Sequence, residues 1–276
     1  MMISRGGHIY SSLTFRTQAI SLQRKIPAQR YRRGANLTLS NNTADDQDRL
    51  GPTMPLSLRF ATPADGPALA AIYLSAFHDS PVATACFPST SRACRDFLAD
   101  SFVEEIGNPR FQWLVVTDAG FEDDPDLPIA CAKWVFPAKD GEHNVEPVPP
   151  KEIWPKEGNP EFADHFFGTL GRKHGEIMGD VRHYYLELII CRREHQGKGA
   201  ATPLMKWGCS RADEEGELAF LEAAAAARPI YEKYGFRTVD REDMTAPNGA
   251  VVSQFFMLRE GKAAEEFRRV LAKSGK

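Results

Sequence analysis

Apolar and polar positions fall into regular patterns only from about residue 54 onward. Leu56–Phe60 reads as a strand. Thr62-Pro63-Ala64-Asp65 then supplies a helix N-cap, a proline at the first helical position and an acid at the third. The helix that follows carries Leu69, Ile72, Tyr73, Ala76 and Phe77 on one apolar face. A second helix is predicted over Thr90–Ile106. Phe111–Thr117 and Ile129–Phe136 read as strands joined across the acidic turn Glu122–Asp126 in an antiparallel hairpin. Pro137–Pro160 is rich in proline and charge and reads as a long loop, a length typical of binding loops and lids.

Beyond the loop, Glu161–Met178 is a predicted helix and His183–Cys191 a strand. Gly199–Glu215 is a helix with Ala201, Leu204, Met205, Gly208 and Ala212 on one stripe, and Gly216 stops it. Pro203 falls in or just past its first turn, where proline is tolerated. Glu217–Glu222 is a short strand, Ala226–Tyr234 a short helix ended by Gly235, Val251–Leu258 a last strand, and Gly261–Lys273 an exposed helix. The order β-α-α-β-β-(loop, α)-β-α-β-α-β-β gives an α/β fold with a mixed sheet. Residues 1–53 lack periodicity and are set aside as a basic leader, leaving a folded domain over 54–262 and a helical tail over 263–276.

Charge separates the same regions. The 276-residue chain has a net charge of −3, but residues 1–44 contain seven Lys/Arg and no acid, so the remainder carries −3 − 7 = −10. An acidic body argues against nucleic acid as a partner and favours cationic substrates such as amines. The leader has the composition of a transit peptide, of an inert tail, or of sequence upstream of a true start at Met54. A cytoplasmic location is expected, with mitochondrial import if the leader acts as a transit peptide. No apolar run reaches membrane-spanning length, so no membrane partner is expected. The five cysteines form no CxxC pair, which indicates neither a disulfide framework nor a zinc site; no metal is expected.

The run Gln196-Gly197-Lys198-Gly199-Ala200-Ala201 lies between a strand and a helix N-terminus. Such a turn gathers backbone N–H groups on one side and binds phosphate or pyrophosphate. A mononucleotide P-loop is a poor alternative, because no GxxxxGK run exists. Glu187 is a charge in the middle of a strand that otherwise reads as buried, which marks it as paired or used. Strict alternation puts it on a face with Tyr185, Ile189 and Cys191.

Gln196-x-x-Gly199-x-Ala201, together with Tyr231-Glu232-Lys233-Tyr234-Gly235-Phe236 downstream, resembles the GNAT superfamily of acyl-CoA-dependent N-acetyltransferases. The Leu221-Glu222-Ala223 and Ala212-Asp213-x-x-Gly216 segments look like a fungal branch of small GNAT proteins. The clear match spans Tyr184–Phe236.

The resemblance implies a mixed, mostly antiparallel sheet flanked by helices, with a splayed central strand pair. Acetyl-CoA would lie in the splay as cosubstrate. The backbone around Ile189, Ile190 and Cys191 would hold the pantetheine arm, and Gln196, Gly197, Lys198, Gly199, Ala200 and Ala201 the pyrophosphate. Lys198, Arg192 and Arg193 would add charge to the phosphates or remain solvated loop cations. Tyr231 occupies the position of the acid that protonates CoA sulfur, or else is a packing tyrosine. Glu187 is the first candidate base, or else part of a structural ion pair; Glu222 is second, and His183 and His195 are third. Many family members carry Asn seven residues before the motif tyrosine, where this chain has Ala224.

The implied activity is acetyl transfer from acetyl-CoA to a small-molecule or protein amine by direct attack in a ternary complex. The implied assembly is a monomer or homodimer. A non-catalytic acyl-CoA-binding regulatory module of the same fold is the alternative. Trp113, Trp134 and Trp154 would line the acceptor site or belong to the core.

Overall fold

A computed structural model describes residues 56–120, 124–139 and 149–261. The leader 1–53, part of the hairpin turn, much of the long loop and all but the first residue of the expected helix Gly261–Lys273 lie outside the described residues.

β1 (Leu56–Phe60), β2 (Phe111–Asp118), β3 (Pro128–Val135) and β4 (His183–Cys191) run antiparallel in sequence order. β5 (Leu218–Ala224) joins β4 in parallel, and β7 (Val251–Arg259) and β6 (Arg237–Thr245) complete the seven-stranded order β1-β2-β3-β4-β5-β7-β6. The architecture is therefore α/β, with a mostly antiparallel sheet flanked by helices. On one face pack α1 (Gly66–Ala76), α2 (Pro81–Cys86), α3 (Arg92–Ile106) and α4 (Pro160–Met178). On the other pack α5 (Ala201–Glu215) and Tyr231 of the one-turn α6 (Arg228–Glu232). β3 is covered on both faces and every one of its residues is buried, which is why it reads as an unbroken apolar run apart from Lys133.

Local sequence sets several element ends. Asp65 accepts from the Thr62 N–H at 2.7 Å and from both terminal nitrogens of Arg59 at 2.8 and 2.9 Å, fixing a 3-10 turn at Pro63–Asp65 from which α1 starts. The Ser91 hydroxyl accepts from the Cys94 N–H and the Asn159 side chain from the Phe162 N–H, capping α3 and α4. Gly216 ends α5 at φ 70°, a left-handed conformation that favours glycine. Two elements have no named counterpart in the sequence reading: α2, and the edge strand β6.

Leu204, Met205, Gly208 and Ala212 of α5 are buried as the stripe predicts, with Cys209 in place of the half-buried Ala201. Gly208 sits against the Trp134 indole, whose Nε1 donates to the Leu204 carbonyl at 3.2 Å. A β-carbon there would overlap the ring. Gly208→Ala gains about 1 kcal/mol of helix propensity, but overpacking of about 1–3 kcal/mol or more outweighs it. Calorimetry should show a lowered Tm; an unchanged or raised Tm would mean that α5 and Trp134 part easily.

Candidate functional site

β4 and β5 pair only over His183–Leu186 and Leu218–Leu221. Past that point β4 stays with β3 as far as Cys191, and β5 stays with β7 as far as Ala224. The two strands splay, and the edge of β4 that faces β5 is left without a strand partner from Glu187 onward. The Gly turn lies at the end of this edge. Gly197 and Gly199 have φ of 77° and 86°, and a β-carbon built on either meets nothing within 4 Å. The turn thus needs glycine for its backbone conformation and has open space beside it.

Gln196 donates from Nε2 to the Cys191 carbonyl at 3.2 Å, so its side chain closes the corner between strand and turn. Lys198 is exposed on the turn, while Ala200 is buried beneath it. Arg192 instead donates to the Pro128 carbonyl at 3.0 Å, and Arg193 pairs with Asp79 at 3.1 Å and bonds His78. Both arginines therefore tie the turn's base to neighbouring segments.

A cavity of about 560 Å³ opens at the splay. Tyr231, Glu187, Glu222, Tyr185, Ile189 and Lys133 all line it, so the structure brings the first- and second-choice bases and the candidate acid to one space. Tyr231 is 8% exposed, and burial pushes its pKa above the ordinary tyrosine range. Its hydroxyl has no hydrogen-bond partner among the described residues.

Glu187 sits at a β-bulge: Lys133 pairs with Leu188 and Trp134 with Leu186, leaving Glu187 unmatched on β4. The extra residue reverses the alternation. Glu187 stays on the Tyr185 side, but Leu188 and Ile190 follow it there, while Ile189 and Cys191 turn to the α5 face. The expectation that Glu187 shares a face with Ile189 and Cys191 is corrected accordingly.

The Glu187 carboxylate pairs with the Lys133 ammonium at 3.0 Å, and Lys133 pairs with Glu105 of α3 at 2.9 Å. The Lys133 and Glu105 side chains are each 1% exposed. Burial works against the Lys133 charge, but the two carboxylates outweigh it and hold its pKa above the usual lysine value. The ion-pair alternative for Glu187 is thus realised, with its carboxylate still at the cavity wall. Lys133 is the site residue that sequence reasoning missed; a charge inside an otherwise apolar strand was the signal, the same one that singled out Glu187.

Glu222, at the splayed end of β5, accepts from the Tyr185 hydroxyl at 2.6 Å. His183 lies away from the cavity, with Nε2 against Nε2 of His174 at 2.7 Å and Nδ1 against the Val181 carbonyl at 2.6 Å. Burial pushes its pKa down to about 4. His195 is buried in the 3-10 turn Arg193–His195 and does not line the cavity. Ala224 lines the cavity, so the side chain at this position offers no hydrogen bond. Of the three candidate tryptophans, Trp113 lines the cavity, whereas Trp134 and Trp154 are core. Tyr234 packs against the α5-side core, as a packing tyrosine would.

All five cysteines are free thiols. Among the described residues no group of three or more His, Cys, Asp or Glu is placed to hold a metal ion, and no helix is long and apolar enough to cross a membrane.

Residues 163–250, from α4 through β6, match the family model described as the acetyltransferase (GNAT) domain. No curated protein matches the chain. Among solved structures, the chain is similar to the histone acetyltransferase HPA2 and related acetyltransferase from Corynebacterium glutamicum, at 18% identity and TM-score 0.48, covering 74% of this chain and 95% of that one. It is similar to Arabidopsis thaliana NAA60 in complex with a bisubstrate analogue, at 14% identity and TM-score 0.47, covering 75% and 99%. It is also similar to a chain of the NatC complex bound to Gag peptide and CoA, at 14% identity and TM-score 0.42, with the same coverages.

Proposed function

We propose that this protein is an N-acetyltransferase that transfers an acetyl group from acetyl-CoA to an amine by direct attack in a ternary complex. The observation that carries the reading is the splay of β4 from β5, with a glycine turn at its end and Tyr231, Glu187 and Glu222 in the cavity behind it. The acetyltransferase match over residues 163–250 contains the splayed strands, the glycine turn and these three side chains.

The extended pantetheine arm would lie along the free edge of β4 at Ile189–Cys191 and form hydrogen bonds as an added strand does. The N–H groups of Gln196–Ala201, at the start of α5, would receive the pyrophosphate, and exposed Lys198 would add a positive charge. The amine loses a proton to Glu187, directly or through water, and its nitrogen attacks the thioester carbonyl carbon. A strand N–H near Ile189 stabilises the oxyanion. Collapse breaks the C–S bond, Tyr231 gives its proton to the departing thiolate, and the second proton of the attacking nitrogen passes through water to the Tyr231 oxygen, which leaves the neutral amide.

The folded unit would be 54–262, with a fungal relationship, a cytoplasmic location and organellar import by the leader as further parts of this proposal. Two measurements test the activity. Acetyl-CoA should raise the Tm, by the equivalent of about 2.7 kcal/mol at a hundredfold excess over Kd. Mixing acetyl-CoA with a panel of primary amines should release thiol. Binding without release from any amine would favour the non-catalytic acyl-CoA-binding alternative; no binding would remove both.

A further inference from the structure

The cavity extends from the splay to a wall that the acetyl donor does not need. That wall is built by Tyr73 and Phe77 of α1 and its end, Val82 of α2, and Phe166, Phe167 and Leu170 of α4. It is mainly aromatic and aliphatic, with Ser80 and the Tyr73 hydroxyl as its polar groups. The charged lining residues all come from the sheet, Glu187 on β4, Glu222 on β5 and Lys133 on β3, with Lys133 held between Glu187 and Glu105. The two carboxylates that line the cavity, Glu187 and Glu222, outnumber the one ammonium, so this side attracts a cation and repels an acidic group.

Resting on the acetyltransferase reading, we propose that the acceptor is a primary amine on a compact apolar body, aryl-alkyl or branched alkyl, with one positive charge. Its body would fill the space between α1–α2 and α4, and its nitrogen would meet the carboxylate side beside the thioester. A cavity of about 560 Å³ lies in the range that takes small ligands, about 300–1,000 Å³. Apolar surface buried against this wall adds affinity in proportion to its area. A peptide acceptor would bring a run of backbone amides to a helical wall whose polar groups are Ser80 and the Tyr73 hydroxyl, at about 1–3 kcal/mol for each amide left unpaired. A polyamine would place its second ammonium against the same apolar wall, where an unpaired charge is costly.

The test compares thiol release from acetyl-CoA with 2-phenylethylamine, spermidine and a short peptide bearing a free N-terminus, alongside calorimetric binding of each in the presence of CoA. We expect kcat/KM for 2-phenylethylamine to exceed both others by at least about tenfold, the scale of one or two apolar contacts. Phe77→Ser, at the half-buried end of α1, should raise KM for 2-phenylethylamine severalfold and leave KM for acetyl-CoA unchanged. A peptide or spermidine turned over best, with no calorimetric binding of 2-phenylethylamine, overturns this acceptor class while leaving acetyl transfer in place. No thiol release from any acceptor overturns both. The binding measurement uses the unaltered protein, so it decides the matter even if the variant fails to fold.

Discussion

Lys133→Met is expected to be the most destabilising single substitution near the site, at about 3–5 kcal/mol. The reason lies in which groups remain. Lys133 and Glu105 are each 1% exposed, and Glu187 is 10% exposed at the side chain. Methionine matches the shape of the lysine stem, so packing changes little, but two carboxylates then face each other without the ammonium at 2.9 and 3.0 Å that balances them. For a domain of this size the loss corresponds to a Tm lowered by about 6–20 °C. The gap from the parent should narrow as the pH falls, because a protonated carboxyl needs no ammonium. A triple variant, Glu105→Leu, Lys133→Met and Glu187→Leu, separates stability from function: replacing a whole buried ionic group with apolar side chains is often neutral or stabilising. If Glu187 takes the amine proton, that variant should keep a near-parental Tm and still lose turnover. A Lys133→Met protein within 1 °C of the parent would show that solvent reaches the triad.

The same triad marks where sequence stops being legible. Lys133 and Glu187 sit on neighbouring strands, and the odd charge in each apolar run could be read directly. Their pairing could not, because a bulge sets which face Glu187 takes, and strict alternation assumes that none is present. Glu105 arrives from α3, distant in sequence, and nothing local points it at β3. The glycine turn was readable for the opposite reason. Positive φ at Gly197 and Gly199, the α5 stripe and the stop at Gly216 are all local requirements, recorded within about twenty residues. β6 escaped because it is an edge strand, paired only with β7 and carrying Arg237, Asp240, Arg241, Glu242 and Asp243. Charge of that kind blunts a sheet edge and erases the apolar alternation by which strands are recognised. The six-residue α2 is too short to show a helical period. The acceptor wall is assembled from α1, α2 and α4, so its composition emerges only once the helices are placed side by side.

Tyr231→Phe is expected to lower kcat by about 10²–10⁴-fold, the usual contribution of a general acid, with KM for acetyl-CoA little changed. The substitution removes one oxygen and keeps the ring, which packs among the α5-side core with Phe236 at 6.3 Å between centroids. Because the hydroxyl has no hydrogen-bond partner among the described residues, its removal strands no buried donor or acceptor. Stability should therefore stay near that of the parent, which a merely structural tyrosine with a bonded hydroxyl would not allow. The chemistry explains the size of the effect. A thiol ionises near pKa 8.5 in the cysteine reference, so an amine attack that expels thiolate gains from a proton delivered as the C–S bond breaks. Burial holds the Tyr231 pKa above its ordinary value, so the proton is on the oxygen throughout the range where the amine is deprotonated and reactive. The parent's kcat should accordingly show no loss from tyrosine ionisation up to about pH 10, the unperturbed tyrosine value. Comparable kcat in parent and variant across that range would remove Tyr231 from the reaction and leave the thiolate to depart unprotonated or to take its proton from water.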